Sequence, residues 1–112
     1  IDNMTWNHLE GGSDFDYPID YWIAILGSDP APGARNFLGR WAPNSYCHYH
    51  RHLGETTTIV LEGEHHLVET TATRSVHKTR LAGDYSQSPY GEAHMEYAGD
   101  KGSVLFFDIN KV

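Results

Sequence analysis

The chain has 112 residues, 15 of them acidic and 8 basic, a formal net charge of −7, and one cysteine, Cys47. That length suits one domain with one core, the charge argues against a nucleic-acid partner, and a single thiol excludes an internal disulfide framework. Hydrophobic residues make up 39%, with tyrosine and tryptophan plentiful, so disorder is not expected.

Residues 1–19 are polar and carry Gly11-Gly12 and an acidic run, and are predicted to be an N-terminal arm or loop. Residues 20–112 form the folded domain. Tyr21 to Leu26 is rich in β-branched and aromatic residues and predicts a strand, ended by the Pro/Gly loop at 27–33. Phe37 to Trp41 and Tyr46 to His52 predict two more, followed by Thr56 to Glu62, a tight turn at Glu62-Gly63-Glu64, and His65 to Thr70. Val76 to Leu81, Asp84 to Ser88, Ala93 to Tyr97 and Ser103 to Ile109 complete the set. Short strands punctuated by glycines, with no apolar repeat at helical spacing, indicate an all-β sandwich or barrel. No apolar run approaches the roughly 20 residues of a membrane span. The start, Ile1-Asp2-Asn3, lacks a signal pattern, although a beginning other than Met leaves a removed leader open. The expectation is a cytoplasmic protein, with no membrane or nucleic-acid partner.

The chemistry concentrates in histidines. His48, His50 and His52 alternate with other residues, so on a strand all three project from one face. A distant imidazole, His94, follows a turn built as Gly83-x5-Pro89-x-Gly91-x2-His94. Several neutral imidazoles around one point suit Zn, Cu, Fe or Ni, whereas a solitary surface histidine needs no function.

These segments resemble the two motifs of the cupin superfamily, G-x5-H-x-H-x3,4-E-x6-G and G-x5-P-x-G-x2-H-x3-N. Gly83, Pro89, Gly91 and His94 keep every spacing of the second, with Ala98 in place of its Asn. His50, His52 and Gly63 match the first, with Asn44 at its leading Gly and Thr56 at its Glu. Asn for Gly is a mild change, since both tolerate positive φ. A competing register takes His48 and His50 as the pair with Glu55 as the carboxylate, but it displaces Gly63 by one and puts Ala42 at the leading position. The register with Asn44 and Gly63 is preferred. The resemblance implies a cupin double-stranded β-helix, a jelly-roll barrel. It also implies one divalent metal on His50, His52 and His94, Fe(II) first, with Zn(II), Ni(II) or Mn(II) as alternatives.

With Thr56 in the Glu slot, the ligand set has no carboxylate unless Glu55 swings in. Three neutral ligands favour an anionic small-molecule substrate in the open positions. Thr56, Thr58 and Val60 line the same face as His50, and Phe37, Trp41, Tyr46 and Phe106-Phe107 are candidates to enclose it, though aromatics in a small barrel are more often core. Glu55, Tyr90 and Glu92 are the candidate catalytic groups. Glu96 and Tyr97 alternate after His94, so one faces outward. His65-His66 is read as surface or lumen decoration, and Arg74, His77, Lys78 and Arg80 as a solvated basic face. Cys47 has opposite parity to the histidines and no specified base, which disfavours a catalytic thiol.

Three functions follow. The ligand set resembles that of small non-haem iron dioxygenases that cleave a β-dicarbonyl such as acetylacetone. A metal-assisted isomerase, lyase or sugar-modifying enzyme needs the same histidines plus a protein acid or base. A non-catalytic sensing module, like the cupin domains fused to anti-sigma factors, would keep zinc. A homodimer is expected, because a short barrel leaves edge strands, with Trp6, Tyr17, Tyr21 and Trp22 as contacts.

Overall fold

The computed structural model describes residues 4–10, 19–28, 35–47, 50–51, 55–70, 73–88 and 93–110. All regular structure among them is β: β1 (Asn7–Glu10), β2 (Asp20–Ser28), β3 (Arg35–Trp41), β4 (His50–Arg51), β5 (Glu55–Thr70), β6 (Ser75–Leu81), β7 (Tyr85–Ser88) and β8 (Ala93–Asn110). Every strand pairing is antiparallel, in the order β1-β2-β3-β8-β5-β6, with β4 joined to β8 and β7 to β5. The all-β expectation holds. One strand, β1, lies inside the segment expected as an arm or loop, laid along β2 with Asn7 opposite Ile23.

Two predicted turns are not turns. Glu62-Gly63-Glu64 lies inside the 16-residue β5, and the break expected between Tyr97 and Ser103 lies inside the 18-residue β8. The two strands pair along almost their whole lengths, from Glu55 opposite Asn110 to Glu69 opposite His94. Register shifts between Val60 and Glu62 and between Gly63 and His65 take the place of a hairpin. The sequence signal is the same in both cases, a glycine interrupting alternation, because bulge and turn each need a left-handed residue. Gly63 has φ +79°, and a Cβ there would lie 2.1 Å from the Gly102 carbonyl oxygen. The two strands touch backbone to backbone at the bend that lets the sheet curl.

Alternation along the strands builds the interior. Val60, Leu105, Phe107, Trp41, Cys47 and Ala98 form the buried cluster, with Tyr21 and Phe37 packed against it. Phe37 stacks on Phe107 at 4.7 Å and Tyr21 on Trp41 at 5.7 Å. Of the aromatics expected across a two-fold axis, Tyr21 therefore faces the core. Trp22 stacks on His8 at 4.5 Å, Trp6 lies under the Arg40 guanidinium at 4.4 Å, and Tyr17 is outside the described residues. Cys47 is a buried core thiol whose main-chain N–H donates to the Glu96 carbonyl.

Burial, followed by the nearby Cys47 and Glu96, pushes the Tyr21 phenol up from 10 to about 12. Below the unfolded value both states keep the proton. Between about pH 10 and 12 the unfolded chain loses it first, so the folded state loses stability as pH rises through that window. Urea unfolding at pH 9 and pH 11.5 should therefore show a steeper loss for the wild type than for Tyr21→Phe. Equal losses would dismiss the role of this phenol.

Candidate metal centre

Several described positions of the two motifs adjoin across the sheet. Asn44 is in the left-handed region with φ +57°, as are Gly63 and Gly83 at +79° and +95°. An Asn in place of the leading Gly therefore preserves the conformation that the position requires. Asn44 donates its N–H to the Gly99 carbonyl, and Ala98, in the Asn slot of the second motif, donates to the Ser45 carbonyl. The start of one motif is thus pinned to the end of the other.

The central juxtaposition is β4 against β8. His50 is the direct Cα partner of His94, and Arg51 that of Ala93. On its other side His94 pairs with Glu69 of β5, so His50, His94 and Glu69 form one row across three neighbouring strands. Of the remaining predicted site residues, His48, His52, Tyr90 and Glu92 lie outside the described residues. Glu55 is exposed, whereas Thr56 and Thr58 are buried at 4% and 9% exposure. The face that the alternate carboxylate would need is the one Thr56 occupies. Thr58 Oγ1 and Ser86 Oγ, 2.6 Å apart, share a hydrogen bond on the inner side of the β5–β7 pair.

Two buried carboxylates were not legible as site residues. Glu69 is only 6% exposed, and its Oε1 accepts from Lys78 Nζ at 2.9 Å. Glu96, two residues beyond His94 on β8, is 4% exposed and accepts at Oε1 from His65 Nε2 at 2.9 Å. His65 is 1% exposed, its Nδ1 lies 2.9 Å from the Ser103 hydroxyl, and its ring packs edge-on to Trp41 at 4.5 Å. It is a partner in a buried polar chain rather than decoration. Its neighbour His66 points to the opposite side, as alternation requires. The same alternation divides the expected basic face: Lys78 reaches inward to Glu69, while His77 is exposed. The signal was available in His65-x-Leu67-x-Glu69, which shares one parity, but a charged residue ending such a run reads as a strand leaving the core. Of the expected enclosing aromatics, Phe37, Trp41 and Phe107 belong to the core, whereas Tyr46 stacks on Tyr97 at 4.7 Å.

Among the described residues no group of three or more His, Cys, Asp or Glu side chains is gathered for a metal ion, so the backbone register is what bears on the expected ligands. His50 and His94 stand in register on adjacent strands, and the buried Glu69, paired with Lys78, lies in the same row.

No protein-family model matches the chain, and no curated protein does. Solved structures do. A cupin 2 conserved barrel domain protein from Rhodopseudomonas palustris superposes with a TM-score of 0.79 at 13% identity, covering 98% of this chain and 73% of its own. A predicted oxalate decarboxylase from Thermotoga maritima gives 0.77 at 22% identity, covering 99% and 96%. The CENP-C cupin domain of Drosophila melanogaster gives 0.66 at 19%, covering 93% and 76%. At these identities the likeness is one of fold.

Proposed function

Taking the chain as a cupin by fold, we propose that it is a metal-dependent enzyme whose ion is held by His50, His52 and His94. The observation that carries this reading is the pairing of His50 with His94 across β4 and β8. His52, two residues beyond His50 in the sequence, shares its parity on an extended chain. We take the ion to be Fe(II) and the reaction to be dioxygenation of a small enolisable dicarbonyl. When bound, the ion supplies Lewis-acid stabilisation of an enolate and the redox chemistry that oxygen requires.

The protein's share of the work follows from its side chains. Thr56 in the carboxylate slot brings no charge to the ligand set, so an anionic substrate oxygen is favoured over a neutral one. Glu69 already spends one oxygen on Lys78, which offsets its charge and holds its carboxylate in place. The buried threonines and the Phe37–Phe107 layer exclude water from the inner face. Glu55 is exposed and contributes less than any of the three histidines.

The test is oxygen uptake by protein reconstituted anaerobically with Fe(II), on a panel of β-diketones together with oxalate, the small bidentate anion named in one structural neighbour. Consumption with a β-diketone and none with oxalate is expected. Metal-dependent turnover of oxalate without oxygen uptake would replace the dioxygenase reading with a decarboxylase one.

A further inference from the structure

A second group of histidines lies on the opposite side of the sheet. His66 of β5 is the Cα partner of Tyr97 on β8 and of Thr79 on β6, and His77 stands two residues along β6 from Thr79. Their side chains converge. His66 Nδ1 lies 2.9 Å from His77 Nε2, and the Tyr97 hydroxyl lies 3.1 Å from that same Nε2. The Thr79 hydroxyl is 3.3 Å from His66 Nδ1. The far nitrogen of His66, Nε2, lies 2.9 Å from Glu64 Oε2.

The carboxylate decides the tautomer. Glu64 accepts, so His66 Nε2 carries the proton and its Nδ1 presents a lone pair. That lone pair faces His77, whose Nε2–H then donates to it. Carboxylate, imidazole and lone pair stand in line, the arrangement that orients metal-binding histidines. The ring is also held from its face: His66 stacks on Tyr97 at 4.6 Å with 6° between planes, and Tyr97 in turn on Tyr46 at 4.7 Å.

We propose that His66 Nδ1 and His77 Nε2, with the Tyr97 hydroxyl beside them, form a second divalent-metal site of the Zn(II) class on the outer face of β5, β6 and β8. Two nitrogens on a tetrahedral Zn(II) stand about 3.3 Å apart. The observed 2.9 Å needs a small opening, which the exposed His77 ring can supply. The ion takes the place of the proton shared between the rings, and His77 carries its proton on Nδ1 instead. Water fills the remaining positions. The site owes nothing to the inner histidines, and no residue is common to the two.

Zn(II) calorimetry on the full chain separates them. The wild type is expected to bind two ions, His94→Ala to retain the outer one, and His94→Ala/His77→Ala to lose it. Glu64→Gln in the His94→Ala background should keep the site but weaken it about tenfold. Imidazole nitrogen NMR should place the remaining ion on His66 Nδ1 and His77 Nε2. His77 is exposed, so its removal leaves the core intact; circular dichroism checks this. If His94→Ala and His94→Ala/His77→Ala bind Zn(II) alike, the outer site does not exist. If His94→Ala binds as the wild type does while His77→Ala loses an ion, the outer site stands and the inner reading fails.

Discussion

His94→Ala should empty the inner metal centre proposed for His50, His52 and His94. Protein purified without added metal and then dialysed should retain close to one ion less per chain than the wild type, measured by plasma mass spectrometry. His94 is the member of the set with partners on both sides, His50 on β4 and Glu69 on β5. Its removal leaves two imidazoles and solvent, so the loss should exceed the roughly 10–100-fold that outer-shell changes cost. His50→Ala and His52→Ala should behave alike. Glu55→Ala should leave the ion in place, since Glu55 is exposed while Thr56 is buried. Were His48→Ala and Glu55→Ala to empty the centre while His52→Ala spared it, the ligand register would be displaced by two residues.

His65→Ala is expected to be the most damaging single change outside the proposed metal centre. The imidazole is buried at 1% exposure between Glu96 and Ser103, with Trp41 against its ring. Deleting it leaves the Glu96 carboxylate inside the fold without the ring that donates to it. Breaking a buried pair from one side costs about 3–5 kcal/mol. Glu96→Gln keeps an oxygen to accept from Nε2 and should cost only about 1 kcal/mol, the scale of one weakened hydrogen bond. Urea unfolding of the two variants decides the matter. A cost for His65→Ala below about 1 kcal/mol would mean the imidazole is idle there.

The contrast between these two histidines shows how far the sequence reaches. His94 stands out through the resemblance of Gly83, Pro89, Gly91 and His94 to the second cupin motif, and the turn positions Gly83 and Asn44 do have positive φ. The strands were legible from alternation, and the carboxylate position that Thr56 occupies is one the resemblance implies. His65 was not legible, because its importance comes from Glu96 and Ser103, which are 31 and 38 residues away. Glu69 was hidden for the same reason. Its place beside His94 depends on the register of β5 against β8, and that register shifts twice on the way from Glu55. A bulge and a hairpin turn use the same glycine, so a sequence cannot say whether the chain reverses there or bends and continues.

The length of β8 makes it the strand on which the most distant pairings of this molecule depend. Its partners are β3, β4 and β5, so Phe37 waits for Phe107 and His50 waits for His94. Contacts so distant along the chain are closed late and slowly. Until β8 docks, His50 has no facing strand, Glu96 has not reached His65, and Tyr97 has not reached His66. The two proposed ion sites therefore differ in what they wait for: the inner one closes only when β8 lies against β4, whereas His66 and His77 already face each other across β5 and β6.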